Sequence, residues 1–114
     1  LEEAIGSVGV FPTDAPDGEG GPEIGYWIGR PFWGQGLIPE AVRELLRWCF
    51  MERGAARVWC GHSSGNDKSR RVIEKCGFTY VCDGPPVLWP DGQERPTCYH
   101  AIDREGWEKE VRRG

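Results

Sequence analysis

The sequence predicts an α/β fold built on one mixed sheet, and three observations carry that reading. Short segments of alternating small and apolar residues flank two segments whose apolar residues recur at three- and four-residue steps. Taken in order these give strand, strand, helix, strand, helix, strand, strand, and then a tail. The 17 glycines and 9 prolines gather between the periodic segments, where turns belong, and make no low-complexity run.

Residues 5–11 alternate small and apolar side chains and read as the first strand. Residues 12–22 are Pro-, Asp- and Gly-rich, a composition that suits a hairpin tip. Residues 23–28 put Ile24, Tyr26 and Ile28 on one face of a second strand. A tight stretch from Gly29 to Gly36 follows. From Ile38 the period changes, and Ala41, Val42, Leu45, Leu46, Cys49 and Phe50 mark one face of a helix. Pro39 suits its first turn, where a missing N–H costs nothing. Gly54 stands where a left-handed cap would end it. Residues 57–60 read as a short third strand. Asn66 reads as the N-cap of a second helix over 67–75, closed by Gly77. Strands follow at 79–83 and 96–102, with Pro90, Asp91 and Gly92 as the turn between them. The tail, 103–113, is expected to be a short helix anchored by Trp107. Trp48 and Phe50 flank the helical stripe and are assigned to the core, and Trp89 is expected to cover the last hairpin.

The chain has 114 residues and 12.8 kDa, which is one small domain. Apolar residues are 39%, enough for one modest core. The net charge is −4 and the isoelectric point about 5.2, without the basic excess that phosphate contacts demand, so nucleic acid is not an expected partner. No apolar run approaches the ~18 residues of a membrane span. The start, Leu1-Glu2-Glu3-Ala4, lacks the basic region and apolar stretch of a secretory signal. The cysteines are five, an odd number with no C-x-x-C pair, and His62 and His100 are not spaced with them as a zinc site requires. Reduced, mostly buried thiols in a cytoplasmic protein, with no metal, are therefore expected.

Gly34-Gln35-Gly36 stands between a strand and a helix. The first helical N–H groups have no internal partners there, and the helix dipole adds positive charge, so the junction can hold an anion. A dinucleotide fingerprint wants a third glycine where Pro39 stands, and a P-loop wants a Gly-Lys-Ser/Thr ending that is absent. Taken alone, the loop reads first as an ordinary strand-to-helix turn.

Its context goes further. Residues 33–41, Trp-Gly-Gln-Gly-Leu-Ile-Pro-Glu-Ala, resemble the coenzyme A signature of the GNAT N-acetyltransferase superfamily. Residues 66–78 resemble the same family's N-x-x-S-x-x-x-x-E-K-x-G-F helix, and the strand from Glu23 to Ile28 and the closing segment to Trp107 also match. The branch resembled is the RimJ/RimL type, over about residues 5–107. Pro31, beside Arg30, departs from the Gln or Arg often found three residues before the first loop glycine. Ile73 stands where the superfamily often has a tyrosine acid. The family's opening strand and helices have no counterpart. The resemblance implies a mixed, mainly antiparallel sheet with two main helices, N-terminally incomplete, and residues 1–114 as one partial acetyl-CoA-binding domain.

It further implies acetyl-CoA as donor and a primary amine, on a small molecule or a protein N-terminus, as acceptor. The pyrophosphate would lie on the N–H groups of Trp33, Gly34, Gln35, Gly36, Leu37 and Ile38. The pantetheine would lie in a splay between strands 23–28 and 57–61, with a backbone N–H near Ile28 polarising the thioester carbonyl. An ammonium acceptor, with a pKa of ~10.4, needs a base. Glu23 is the first candidate and His62 the second; the first also reads as a strand-end carboxylate, the second as a solvated loop residue. Ser69 matches the branch's proton donor to the leaving thiolate, or is a helix-start hydroxyl bonded to backbone. Asn66 would cap its helix and bond the pantetheine. Arg70, with Arg71, would reach the adenosine phosphates or line a solvated face. Nothing near Cys60 or Cys76 activates a thiol, and direct attack by the amine needs none. Two other readings stay open: a coenzyme A-binding module without catalysis, and a homodimer whose second chain supplies the lost surface.

Overall fold

The computed structural model describes residues 6–16, 19–28, 37–65, 67–88, 90 and 92–113. Its elements run β1 (Gly6–Pro12), β2 (Pro22–Ile28), α1 (Leu37–Met51), β3 (Arg57–Ser63), α2 (Asp67–Lys75), β4 (Thr79–Leu88), β5 (Glu94–Asp103) and α3 (Arg104–Arg113). The five strands form one sheet in the order β1-β2-β3-β5-β4. Every pairing is antiparallel except β2 with β3. The predicted mixed α/β class and element order therefore hold.

The helices pack on one face. Val42, Leu46, Cys49 and Phe50 of α1, Ile73 of α2 and Cys76 just after it are buried against Ile24, Val58, Cys60 and Ile102 of the strands. The predicted stripe is thus the buried face of α1. Trp48, off that stripe, is 42% exposed with Arg53 over its ring, against the expectation of a core residue. The Trp107 ring of α3 stacks on Phe50 at 5.2 Å, the expected anchor. The opposite face has a smaller cluster of Ala15, Trp59, Tyr99 and Ala101.

Gly77 ends α2 with φ +97, its N–H bonded to Glu74 O and that of Phe78 to Ile73 O, a Schellman closure. A Cβ there would stand 2.6 Å from Glu110 Cγ.

Three strands outrun their predicted ends. β3 continues through Gly61 to Ser63. Gly61 is a place for the Thr97 and Tyr99 side chains of β5 to lie across: a Cβ would meet Thr97 Cγ2 at 2.8 Å. β4 and β5 also extend, to Leu88 and from Glu94, through Pro85 and Pro86. β4 is an edge strand with a register shift between Asp83 and Pro86, so prolines are tolerated there.

Candidate active site

The parallel ladder between β2 and β3 has a single register pair, Glu23 opposite Trp59. Beyond it β2 runs on to Ile28 and β3 to Ser63, and the strands splay. β2 keeps β1 on its far side and β3 keeps β5. The two edges that face the splay therefore carry backbone N–H and C=O groups with no ladder partner, and such groups seek partners. An extended, amide-bearing chain would complete both. β2 leads on toward the start of α1 at Leu37, where Leu37 and Ile38 contribute first-turn N–H groups. Trp33, Gly34, Gln35, Gly36 and Asn66 lie outside the described residues. Ile28 ends β2 opposite Gly6 of β1.

Side chains alternate along β2, so Glu23 and Tyr26 stand on opposite faces at the splay. Glu23 is buried at its closed end. Its Oε1 accepts a 2.6 Å hydrogen bond from Thr13 Oγ1. Burial raises its carboxyl above the ordinary range, the Thr13 bond opposes this, and Asp14 adds to the rise. The Trp59 and Tyr99 rings, edge to face at 6.5 Å, belong to the same side of the sheet. Burial, and then the charge of Glu23, also raises the Tyr99 phenol.

On the helical side the Tyr26 hydroxyl reaches across to α2, 2.8 Å from Ser69 Oγ and 3.2 Å from the Ser69 carbonyl, to which it can donate. Burial pushes the Tyr26 phenol up to about 12, against the lowering effect of Ser69, so it stays protonated. Ser69, in the first turn of α2, thus stands beside the splay. Burial also raises the Cys60 and Cys76 thiols, which keeps them as inert core groups.

His62 is not the solvated loop residue of the alternative reading. Because β3 is longer than predicted, it lies within the strand and is buried. Its Nδ1 is 2.8 Å from the Ser63 carbonyl, and its Nε2 is 3.1 Å from His100 Nε2. Both ring nitrogens are engaged. Burial and then His62 lower the readiness of His100 to ionise. Arg70 is about half exposed and 3.4 Å from Asp67, and Arg71 is exposed. Ile73, at the family's tyrosine position, is 1% exposed in the core. All five cysteines are free, and among the described residues no group of three His, Cys, Asp or Glu side chains is placed to hold a metal ion.

Sequence reasoning missed Thr13, Tyr26 and His100 as site neighbours. Tyr26 carried a signal: a buried phenol needs a partner for its hydroxyl. Thr13 and His100 carried none, because their partners are distant in sequence or set by loop shape.

The comparisons with known proteins point to one family. A family model described as an acetyltransferase (GNAT) domain matches residues 1–79. The Bacillus subtilis protein YdaF, named as a candidate ribosomal N-acetyltransferase, is 36% identical over 88 residues, covering 77% of this chain and 48% of its own. The Aspergillus fumigatus FsC-acetyl coenzyme A-N(2)-transacetylase is 36% identical over 91 residues, covering 75% of this chain and 37% of its own. The crystal structure of a candidate acetyltransferase from T. thermophilus superposes with a TM-score of 0.81 at 29% identity, covering 99% of this chain and 60% of that one. The chain spans about half the length, or less, of these curated relatives. With its family signature, its splayed parallel pair and its helix order in agreement, the chain belongs to the GNAT acetyltransferase family.

Proposed function

We propose that this chain carries the coenzyme A-binding part of an N-acetyltransferase that moves an acetyl group from acetyl-CoA to a primary amine. The observation that carries the reading is the one-rung parallel pair. It leaves two backbone edges without ladder partners beyond the rung and sets a buried carboxylate at the rung itself. When bound, acetyl-CoA supplies an activated acetyl group as a thioester. The first-turn amides of α1, which follow residues 33–36 of the family signature, hold its pyrophosphate. The facing edges of β2 and β3 hold its amide-bearing arm, and a backbone N–H of the β2 edge polarises the reacting carbonyl.

Glu23 takes the proton that an ammonium must lose before its nitrogen can attack, and its raised carboxyl moves toward the pH where a base works best. The new C–N bond replaces the C–S bond, and the second proton shed by the attacking nitrogen passes to the departing sulfur by way of the Ser69 hydroxyl, which Tyr26 orients. His62 is the weaker base candidate, since its nitrogens are committed to Ser63 and His100. Arg70 is left to meet outer phosphates. The names of the relatives point to different acceptors, ribosomal in one and FsC in the other, so the acceptor here is given as a class. A cytoplasmic setting accords with five free thiols.

Calorimetry with acetyl-CoA tests the donor half: high-micromolar binding is expected, and its absence would remove the reading. Thiol release with a panel of amines and peptides tests the rest. Glu23→Gln should lower kcat/KM by about a hundredfold or more.

A second reading rests on Ile73. With a buried isoleucine at the family's acid position, a coenzyme A-binding module without turnover is its natural rival. Binding without thiol release from any amine would favour that rival.

A further inference from the structure

The loop between β1 and β2 does more than reverse the chain. The Thr13 N–H donates to the Gly21 carbonyl at 2.7 Å and closes the loop's neck. The Ala15 N–H donates to Thr13 Oγ1 at 3.1 Å. An amide can only donate and an ionised carboxylate can only accept, so the proton of the Thr13 hydroxyl is directed to Glu23 Oε1, 2.6 Å away. That is the length of a charge-assisted O–H···O⁻ bond. Both residues are buried, at 5% and 9% exposure. Among the described residues, Thr13 is the side chain bonded to this carboxylate, and it holds one oxygen only.

We propose that Thr13 is a positioning residue for Glu23: its hydroxyl, itself fixed by the Ala15 amide, grips one carboxylate oxygen and leaves the other to meet the acceptor amine. This rests on Glu23 being the base. The relay does two things. It fixes the carboxylate plane, so the free oxygen is presented in one orientation. It also favours the ionised form, against burial and Asp14.

The test uses the full chain with Thr13→Val, Thr13→Ala, Thr13→Ser and Glu23→Gln. Glutamates labelled with 13C at the carboxyl are titrated by NMR, and the Glu23 signal is assigned by its loss in Glu23→Gln. Removing the hydroxyl should move the Glu23 midpoint upward, and Thr13→Ser should restore it. An unchanged midpoint in the hydroxyl-free variants overturns the proposal. Thr13→Ala serves if Thr13→Val fails to fold, and thermal unfolding reports that directly. In turnover, the acid limb of kcat/KM should follow the same upward shift. A loss of roughly tenfold at neutral pH is expected, with acetyl-CoA affinity unchanged. If Glu23→Gln turns over fully, the base reading falls and the catalytic role of Thr13 falls with it, while the titration still reports the link between the two groups. If Glu23→Gln is inactive and the Thr13 variants keep the wild-type profile, the positioning role alone falls.

Discussion

Glu23 and Ile24 are neighbours in β2, yet they look into two differently built halves of the protein. Among the described residues, Ile24 belongs to a cluster of twelve buried residues under α1, α2 and the strand ends. Glu23 looks toward a cluster of four, roofed by the hairpin loop through Ala15 and Thr13. The thick face can supply most of the burial free energy. The thin face can therefore bury a carboxylate that opposes folding, as sites of chemistry commonly do. One strand divides stability from reactivity between its two sides.

Substitutions can break or sharpen that division. The largest effect is expected on the thick face: Phe50→Ala removes a fully buried ring stacked on Trp107 and should cost about 3–5 kcal/mol in urea unfolding. A cost under about 1 kcal/mol would mean that stability lies elsewhere. On the thin face, Gly61→Val forces a side chain against Thr97 and the Tyr99 ring and should cost about 1–3 kcal/mol by the same measurement. A loss equal to that of Phe50→Ala would erase the contrast. Tyr26→Phe leaves the packing and removes the bond to Ser69, for about 1 kcal/mol.

The smallest effect is a pH dependence from the polar pair on the helical face. His100 faces His62 of β3, Tyr80 of β4, and Arg70 and Glu74 of α2. Burial first, then His62, disfavours its cation. The unfolded chain therefore takes up this proton at higher pH than the folded one. Its contribution to stability is full above the unfolded value of ~6.5 and is lost as pH falls through that value toward the lower folded one. Urea unfolding at about pH 7.5 and about pH 5.5 should show the drop, at most one proton's worth, and His100→Gln should flatten it. An equal drop in that variant would assign the dependence to another group.

Much of this was legible in the sequence. The α1 stripe, the Gly77 cap and the order of elements follow from local spacing and backbone preference, and these survive in the folded chain. The residues misread depend on distant partners. The third strand, read as 57–60, runs on through Gly61 because its neighbours across the sheet, Thr97 and Tyr99, lie far along the chain. The fourth strand, read as 79–83, runs on through Pro85 and Pro86 because the edge position of β4, which tolerates prolines, is a property of the whole sheet. The family motifs pointed to Glu23 and Ser69, whereas their partners Thr13 and Tyr26 were hidden in a turn-like composition and an apolar face.

The lone rung between Glu23 and Trp59 also has a mechanical meaning. The β1–β2 hairpin and the β3–β5–β4 ribbon are each stitched along their lengths but share only that point of main-chain pairing. Amide exchange should then divide at this seam, the hairpin opening as one unit and the ribbon as another. A molecule lying along the seam would bond to both, and would be felt as a slowing of exchange in the two units together.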